Sequence, residues 1–223
     1  MSTAIDMGNV RRRYSADERR RMILEGAIDY FADFGFDVRT RELAEHLGIS
    51  QSLIFRYFPN MAALVDSVYD VVFLNRWNSE WERALVDRAH PLRTRLLGFY
   101  RDYFRSIGRY EVIRISLYSA LRGETISQRY MQLVRERLIH PIVIELRCEL
   151  GLDSRADLAV TPLEEELVFG LHGSVIYAII RKHVFGLAVT DDIDFMLELL
   201  IDNFLAGIGD TFRRALDGSG ERA

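Results

Sequence analysis

The chain has 223 residues, of which 49% are hydrophobic and 28% are charged, and its formal net charge at pH 7 is −4. This composition is ordinary for a globular protein with one large or two small domains, and the net acidity argues against general attraction to nucleic acid. The single cysteine, Cys148, excludes an internal disulfide, and its apolar surroundings predict a core position in a reducing compartment. The sequence shows no signal peptide and no run of the ~18 apolar residues that a membrane helix needs, so we expect a cytoplasmic protein without a membrane partner.

Arginine triplets mark the amino end, at Arg11–Arg13 and at Arg19–Arg21. Cations just before a helix are unfavourable by ~0.3–1 kcal/mol each, which suggests that the first triplet has a role elsewhere. We expect residues 1–14 to form a flexible basic arm, with Arg12 and Arg13 contacting DNA phosphates or the minor groove. The alternative is an arm that is simply solvated in the free protein. The second triplet is expected on the solvent side of the first helix.

The first predicted helix begins after Ser15, because Ser15 and Glu18 form a capping-box pattern. It ends at Gly35. Its apolar face has the i, i+4, i+7, i+11 spacing of one side of a helix. The residues on that face are Ile23, Ala27, Tyr30 and Phe34.

The stretch from Thr40 to Phe58 has the pattern of a helix-turn-helix. We expect Thr40 to cap a short helix, Gly48 to form the turn and Ser50 to cap the helix that follows. The outer face of that second helix is expected to carry polar side chains that can meet base edges or phosphates. Those side chains are Gln51, Ser52 and Arg56.

This stretch resembles the signature of the TetR family of transcriptional regulators, in which Gly-Ile-Ser is followed by an aromatic box, here Phe55-Arg56-Tyr57-Phe58. The resemblance runs from about Tyr14 to Leu64. It implies an all-α protein of about nine helices, with a three-helix DNA-binding domain at 1–60 and a larger ligand-binding and dimerisation domain at 61–223. It also implies a homodimeric repressor that a small molecule releases from double-stranded operator DNA by shifting the population of dimer conformations.

The same resemblance assigns DNA contacts residue by residue. Thr40 matches a position that starts its helix on a phosphate, and Tyr57 matches a phosphate-binding aromatic. The full predicted set is Arg12, Arg13, Thr40, Ser50, Gln51, Ser52, Arg56 and Tyr57. Phe55 stands where the family usually has tyrosine, which predicts a packing role. Met61 stands where a lysine usually points at phosphate, which predicts weaker or less salt-dependent binding.

The larger half reads as long helices with no strand signal. Their predicted ranges are 61–88, 92–109, 111–122, 126–150, 162–186 and 192–216. Tyrosine buries apolar area and keeps a polar tip, which suits a pocket wall. Pro141 predicts a kink at which His140 faces a cavity. Plain core positions, and a satisfied histidine, are the alternatives. The predicted pocket consists of Tyr100, Tyr103, Phe104, Tyr118, His140 and Tyr177, and we expect a mostly apolar or aromatic ligand.

The last two helices carry apolar stripes that predict a four-helix dimer seam. The predicted seam residues are Val168, Leu171, His172, Val175, Ile179, Phe204 and Ile208. No metal site is expected, because no cysteine or carboxylate completes a ligand set with the histidines, and no cofactor motif is present. Two other classes stay open: an enzyme without a recognisable motif, and a ligand- or protein-binding member of the same fold that has lost DNA binding.

Overall fold

A computed structural model describes residues 14–122, 125–152 and 159–220, except for the side chains of 215–220. Within these ranges the chain is helical and contains no strand, as the sequence predicts. The α-helices are α1 (Ala16–Phe34), α2 (Thr40–His46), α3 (Gln51–Tyr57), α4 (Met61–Val72), α5 (Ser79–Leu85), α6 (Leu92–Ile107), α7 (Tyr110–Arg122), α8 (Thr125–Val134), α9 (His140–Glu149), α10 (Pro162–His183) and α11 (Ile193–Gly220).

Helix α1 begins and ends where the sequence predicts. The backbone N–H of Ser15 donates to Oε2 of Glu18 at 2.8 Å, and the Glu18 N–H donates back to Oγ of Ser15 at 3.2 Å, so the capping box is confirmed. Gly35 stops the helix with φ 76°, a conformation that costs little only without a Cβ. Ile23, Ala27 and Phe31 lie on the buried face, whereas Tyr30 of the predicted face is half-buried and Phe34 is 59% exposed.

The predicted helix over 61–88 is wrong, because the chain breaks after α4. A 3₁₀ turn at Leu74–Arg76 separates α4 from α5. Oδ1 of Asn78 accepts the Glu80 N–H at 3.0 Å and so caps a new helix. Asparagine satisfies amides better at a helix start than inside a helix, which fits the new helix start at this position.

The predicted helix over 126–150 contains a π-helical turn at Arg135–Ile139. The His140 N–H donates to the carbonyl of Arg135, one residue further back than in an α-helix. Pro141 has no N–H and follows this turn at the start of α9. The disturbance therefore lies ahead of the proline, and the sequence did not predict its form.

One hydrophobic cluster runs from α1 to α11. Helix α1 packs along α7 and α4, and α11 packs on α10 and α6. Cys148 is half-buried rather than fully enclosed. No helix within the described ranges is long and apolar enough to span a membrane. The boundary at residue 60 stays a prediction, since the core is continuous across it.

Candidate DNA-binding face and ligand cavity

The turn between α2 and α3 is built as a helix-turn-helix. Gly48 has φ 63°, which a residue with a Cβ rarely adopts. Oγ of Ser50 accepts the Leu53 N–H at 3.3 Å and caps α3, as predicted. Oγ of Ser50 also lies 3.0 Å from Oγ of Ser52. Both serine hydroxyls are therefore partly occupied in the free protein.

Helix α3 divides its residues between core and solvent with helical periodicity. Ile54 is buried, and Phe58, which directly follows the helix, is buried as well. The opposite face is exposed, and it consists of Gln51, Ser52, Phe55 and Arg56. Within the described ranges no hydrogen bond or ion pair engages Gln51 or Arg56. Tyr57 is half-buried and packs against the hydrophobic cluster.

Three expectations about this face need correction or lie beyond the structure. Thr40 is not the cap of α2: Arg39 holds that position, and its N–H donates to Oε2 of Glu42 at 3.0 Å. Thr40 is instead the first residue of the helix and is half-buried. Phe55 does not join the hydrophobic cluster, as its predicted packing role requires, and is 43% exposed beside the polar residues of the same face. Arg12 and Arg13 lie outside the described residues.

Met61, the second departure from the family pattern, is accounted for by packing. It is the first residue of α4 and is packed against the hydrophobic cluster. Oδ1 of Asn60 accepts the Ala63 N–H at 2.8 Å and caps the helix. The start of α4 is thus anchored by an apolar contact, where the family usually presents a lysine to DNA.

A cavity of about 220 Å³ lies between α6, α7, α8 and α10. Its lining is almost entirely apolar and contains no Asp, Glu, Lys or Arg. The lining residues are Phe73, Tyr103, Ile107, Val112, Ile113, Ser116, Tyr130, Met131, Phe169, His172, Gly173 and Ile176. Sequence reasoning missed most of them, since ordinary apolar residues of four helices carry no signal that they share a cavity.

Of the six residues predicted for the pocket, only Tyr103 lines this cavity. Tyr100 is fully buried one layer away, with its ring 6.4 Å from that of Tyr103. Phe104 lines a separate surface groove with Arg101 and Arg105.

The other three predicted pocket residues lie elsewhere, which corrects the prediction. Tyr118 sits at the junction with α1, where its hydroxyl accepts from Nη2 of Arg114 at 2.8 Å. Nε2 of His140 lies 2.6 Å from Oε1 of Glu165, so this is the satisfied histidine that the sequence left open. Tyr177 is 54% exposed on α10.

Four polar side chains line the cavity, those of Tyr103, Ser116, Tyr130 and His172. The hydroxyls of Tyr103 and Tyr130 lie 2.6 Å apart. The imidazole of His172 lines the same space and is only 4% exposed. Burial lowers the pKa of His172 to about 4, so the ring is neutral near pH 7. Its Nδ1 is enclosed and has no hydrogen-bond partner within the described part of the chain.

The predicted dimer seam is largely turned toward the core of its own chain. Val168, His172, Val175 and Ile179 are buried within the single chain, so they have almost no surface left to give to a partner. Leu171 and Ile208 form the floor, and Phe204 a wall, of a groove between α10 and α11. Exposed or half-exposed residues rise on both sides of this groove, namely Leu167, Gly170, Ser174, Leu200, Asn203, Gly207 and Thr211.

Helix α7 connects the cavity to the amino-terminal helices. Val112, Ile113 and Ser116 line the cavity. On another side of the helix, Nε of Arg114 donates to the carbonyl of Ala32 at 2.6 Å. That carbonyl belongs to the last turn of α1, where acceptors lack partners within the helix and a cation is favourable.

The comparisons with known proteins agree with this geometry. Residues 23–68 match the model of the bacterial regulatory proteins of the tetR family. The chain is 31% identical over 88 residues to the tetracycline repressor protein class A from transposon 1721 of Escherichia coli, and the match covers 36% of this chain and 40% of that protein. The chain thus spans about two fifths of the length of the curated relatives it matches.

Solved structures extend the likeness to the whole fold. A TetR-like transcriptional regulator from a Rhodococcus species covers 87% of this chain and 100% of its own, with a TM-score of 0.64 at 20% identity. A tetR-family transcriptional regulator from Streptomyces coelicolor covers 92% of this chain and 90% of its own, with a TM-score of 0.56 at 19% identity. At such identities the likeness shows the fold alone. Residues 23–68 are thus similar to the tetR family of bacterial regulatory proteins, and most of the chain shares the fold of the solved regulators.

Proposed function

We propose that the protein is a DNA-binding transcriptional repressor that reads double-stranded operator DNA with α3. The observation that carries the proposal is the outer face of α3, where Gln51 and Arg56 are exposed and unengaged while Ile54 anchors the helix from below. Arginine and glutamine are suited to bidentate contacts with guanine and adenine edges in the major groove. The relatives named as tetracycline repressors support this assignment.

Phe55 adds an apolar element to the same face. Its exposed ring costs solvation in the free protein and is positioned beside Arg56 rather than in the core. Apolar side chains on a reading helix contact the methyl group of thymine. We therefore expect Phe55 to contribute sequence preference, in place of the phosphate contact that a tyrosine hydroxyl would make.

Two copies of the chain would present two reading helices to an operator with twofold symmetry. The groove between α10 and α11 is the surface that supports a dimer, because Leu167, Leu200 and Phe204 keep apolar area at the surface there. Ser174→Glu together with Asn203→Glu would place like charges in the closed seam, and we expect sedimentation to show a monomer of unchanged helicity. An unchanged dimer would place the seam elsewhere, and a wild-type monomer at micromolar concentration would contradict the dimer itself.

Release of DNA is proposed to pass through α7. A ligand in the cavity touches Val112, Ile113 and Ser116 on one side of this helix, while Arg114 on another side holds the end of α1. A ligand that favours one position of α7 would favour one orientation of the head, and so one spacing of the two reading helices. Ligand and DNA must then weaken each other by the same factor.

The reading face can be tested without knowing the operator. Duplexes selected from a random pool with the wild-type protein are titrated against wild type, Gln51→Ala and Arg56→Ala by fluorescence anisotropy. Each substitution should cost ~1–3 kcal/mol of preference for the selected duplex over a scrambled one. Arg83→Ala is the matched control, since Arg83 is an exposed arginine of α5, remote in sequence from α3. No enrichment of any sequence would favour a family member that has lost DNA binding.

A further inference from the structure

We propose that the cavity between α6, α7, α8 and α10 selects a small uncharged ring compound that carries a hydroxyl group, such as a simple alkylphenol. The inference rests on the proposed function only in treating this ligand as the effector. It names the chemical class of that effector from the size, the polarity and the charge of the cavity.

Size limits the ligand to about one ring. The cavity measures about 220 Å³, whereas an engineered apolar cavity of ~150 Å³ in another protein binds benzene. The additional space admits a short alkyl chain or a few further atoms. The walls are aromatic or branched aliphatic residues, among them Phe73, Ile107 and Phe169, which favour a flat apolar body.

Charge excludes ionised ligands. No Asp, Glu, Lys or Arg lines the cavity, so an ionised group of a ligand would find no charged partner among its walls. The one group that could become a cation is His172, whose pKa burial lowers to about 4. Protonating it at pH 7 to receive an anion would weaken binding about a thousandfold.

The polar groups call for a hydroxyl. A neutral imidazole has one donor nitrogen and one acceptor nitrogen, and neither is engaged by the described residues. The contact between Tyr103 and Tyr130 uses one hydroxyl hydrogen and leaves the other available. The rings of Tyr103 and His172 are 5.4 Å apart, within the reach of one small ligand. A hydroxyl both donates and accepts, so it can satisfy these groups in either tautomer of the histidine.

The test uses three probes with one skeleton: 4-ethylphenol, ethylbenzene and 4-ethylbenzoate. They are titrated calorimetrically into the full-length protein at pH 7 without DNA. We expect 4-ethylphenol to bind about three- to tenfold more tightly than ethylbenzene, and 4-ethylbenzoate to bind at least a hundredfold more weakly than 4-ethylphenol. Equal affinities for the phenol and the hydrocarbon, or tight binding of the benzoate, would overturn the proposal.

Two variants tie the result to the cavity. His172→Phe should reduce the preference for 4-ethylphenol over ethylbenzene while leaving ethylbenzene binding within about twofold. If that variant does not fold, the ligand class is tested by the three probes on the unchanged protein and by Tyr130→Phe. This second variant removes another polar group of the cavity and should also weaken the preference for 4-ethylphenol. Gly173→Leu should block all binding, because Gly173 is an exposed residue of the cavity lining and a Cβ added there meets no atom within 4 Å, which leaves room for a large side chain at the cavity entrance.

Gly98→Leu is the matched control for the blocking variant, since Gly98 is a helical glycine with equally open space that lines a different groove. It should leave probe binding unchanged. Failure of all three probes to bind a protein that still selects DNA would overturn the ligand class and leave the proposed DNA reading intact. Probe binding by a protein that selects no DNA would support the ligand class and contradict the proposed DNA reading.

Discussion

The larger half differs from the helix-turn-helix in that it buries some of its ion pairs as well as exposing others. On α2 the ion pair of Arg41 and Glu45 is almost fully exposed, and Arg56 on α3 has no partner within the described ranges. In the larger half, by contrast, Oε2 of Glu145 accepts from Nη1 of Arg95 at 2.7 Å with both side chains buried. Under the proposed function, the charges of the helix-turn-helix that exchange water for DNA stay at the surface. The pair of Arg95 and Glu145 joins α6 to α9 inside the protein.

The buried pair keeps the Glu145 carboxylate charged inside the fold. Burial alone would raise the pKa of Glu145, but hydrogen bonds from Arg88 and Arg95 outweigh it and hold the pKa below its ordinary value. The carboxylate joins α9 to α6 and to the segment before α6. Its loss would leave Arg95 as a buried cation without that carboxylate, although the Arg95 Nε–H would still donate to the carbonyl of His90.

Glu145→Gln should therefore give the largest effect that separates the two regions. We expect it to lower the free energy of unfolding by ~3–5 kcal/mol, because removing one partner of a buried pair leaves an uncompensated charge. Glu45→Gln, which breaks an exposed pair, should leave the free energy of unfolding unchanged within experimental error. Urea denaturation followed by circular dichroism measures both. Equal losses in the two variants would contradict the contrast between surface and interior.

A second difference between the regions is the pH response of His172. Its folded-state pKa of about 4 lies below the ordinary value of 6.5, so between these values the unfolded chain binds the proton more readily than the folded chain. Stability is then full above about pH 6.5 and is lost as the pH falls toward 4. Between pH 7 and pH 5 the loss should be about 2 kcal/mol.

The measurement is the difference between wild type and His172→Phe in urea midpoints at pH 7 and pH 5. The variant should lose less stability over this range, because it has no imidazole to protonate. The rings that contact His172 are those of Tyr100 and Tyr103, and burial raises the pKa of both hydroxyls, so they stay neutral throughout. A parallel decline in both proteins would show that His172 is not the group that titrates.

The sequence predicts the helix-turn-helix well because its determinants are local. The Ser15 capping box, the turn at Gly48 and the Ser50 cap each depend on residues within a few positions of one another. Thr40 is not the cap because α2 begins one residue earlier than the sequence predicts, which places Arg39 at the cap position. Helix ends commonly vary by a residue or two.

The larger half is predicted less well because its determinants are distant in sequence. A stripe such as Val168 and Val175 has the same periodicity whether it faces its own core or a second copy, and the structure turns it toward the core. His172 shares that stripe and lines the cavity, where α6 supplies the neighbouring ring of Tyr103. Likewise, His140 is a satisfied histidine because its ring contacts Glu165, which lies 25 residues further along the sequence.

Replacing one tyrosine in each region tests the same contrast and has the smallest expected effect. The hydroxyl of Tyr130 lies 2.6 Å from that of Tyr103 in the buried half of the protein. Tyr130→Phe leaves a buried hydroxyl without this partner, and we expect it to lower the free energy of unfolding by about 1 kcal/mol. Tyr57→Phe should leave stability unchanged, because no hydrogen bond to the Tyr57 hydroxyl exists within the described residues.

DNA binding should rank the two tyrosines the other way. If Tyr57 donates to a phosphate, Tyr57→Phe will weaken binding severalfold and equally on selected and scrambled duplexes, since a phosphate contact carries no sequence information. Tyr130→Phe should leave both affinities unchanged in the absence of ligand. Anisotropy titrations on the two duplexes, paired with urea denaturation of the same preparations, measure all of these quantities. If Tyr57→Phe lowers stability, the Tyr57 hydroxyl supports the fold. If it lowers affinity for only one duplex, the hydroxyl reads a base. Either result would contradict the assignment of Tyr57 to a phosphate contact.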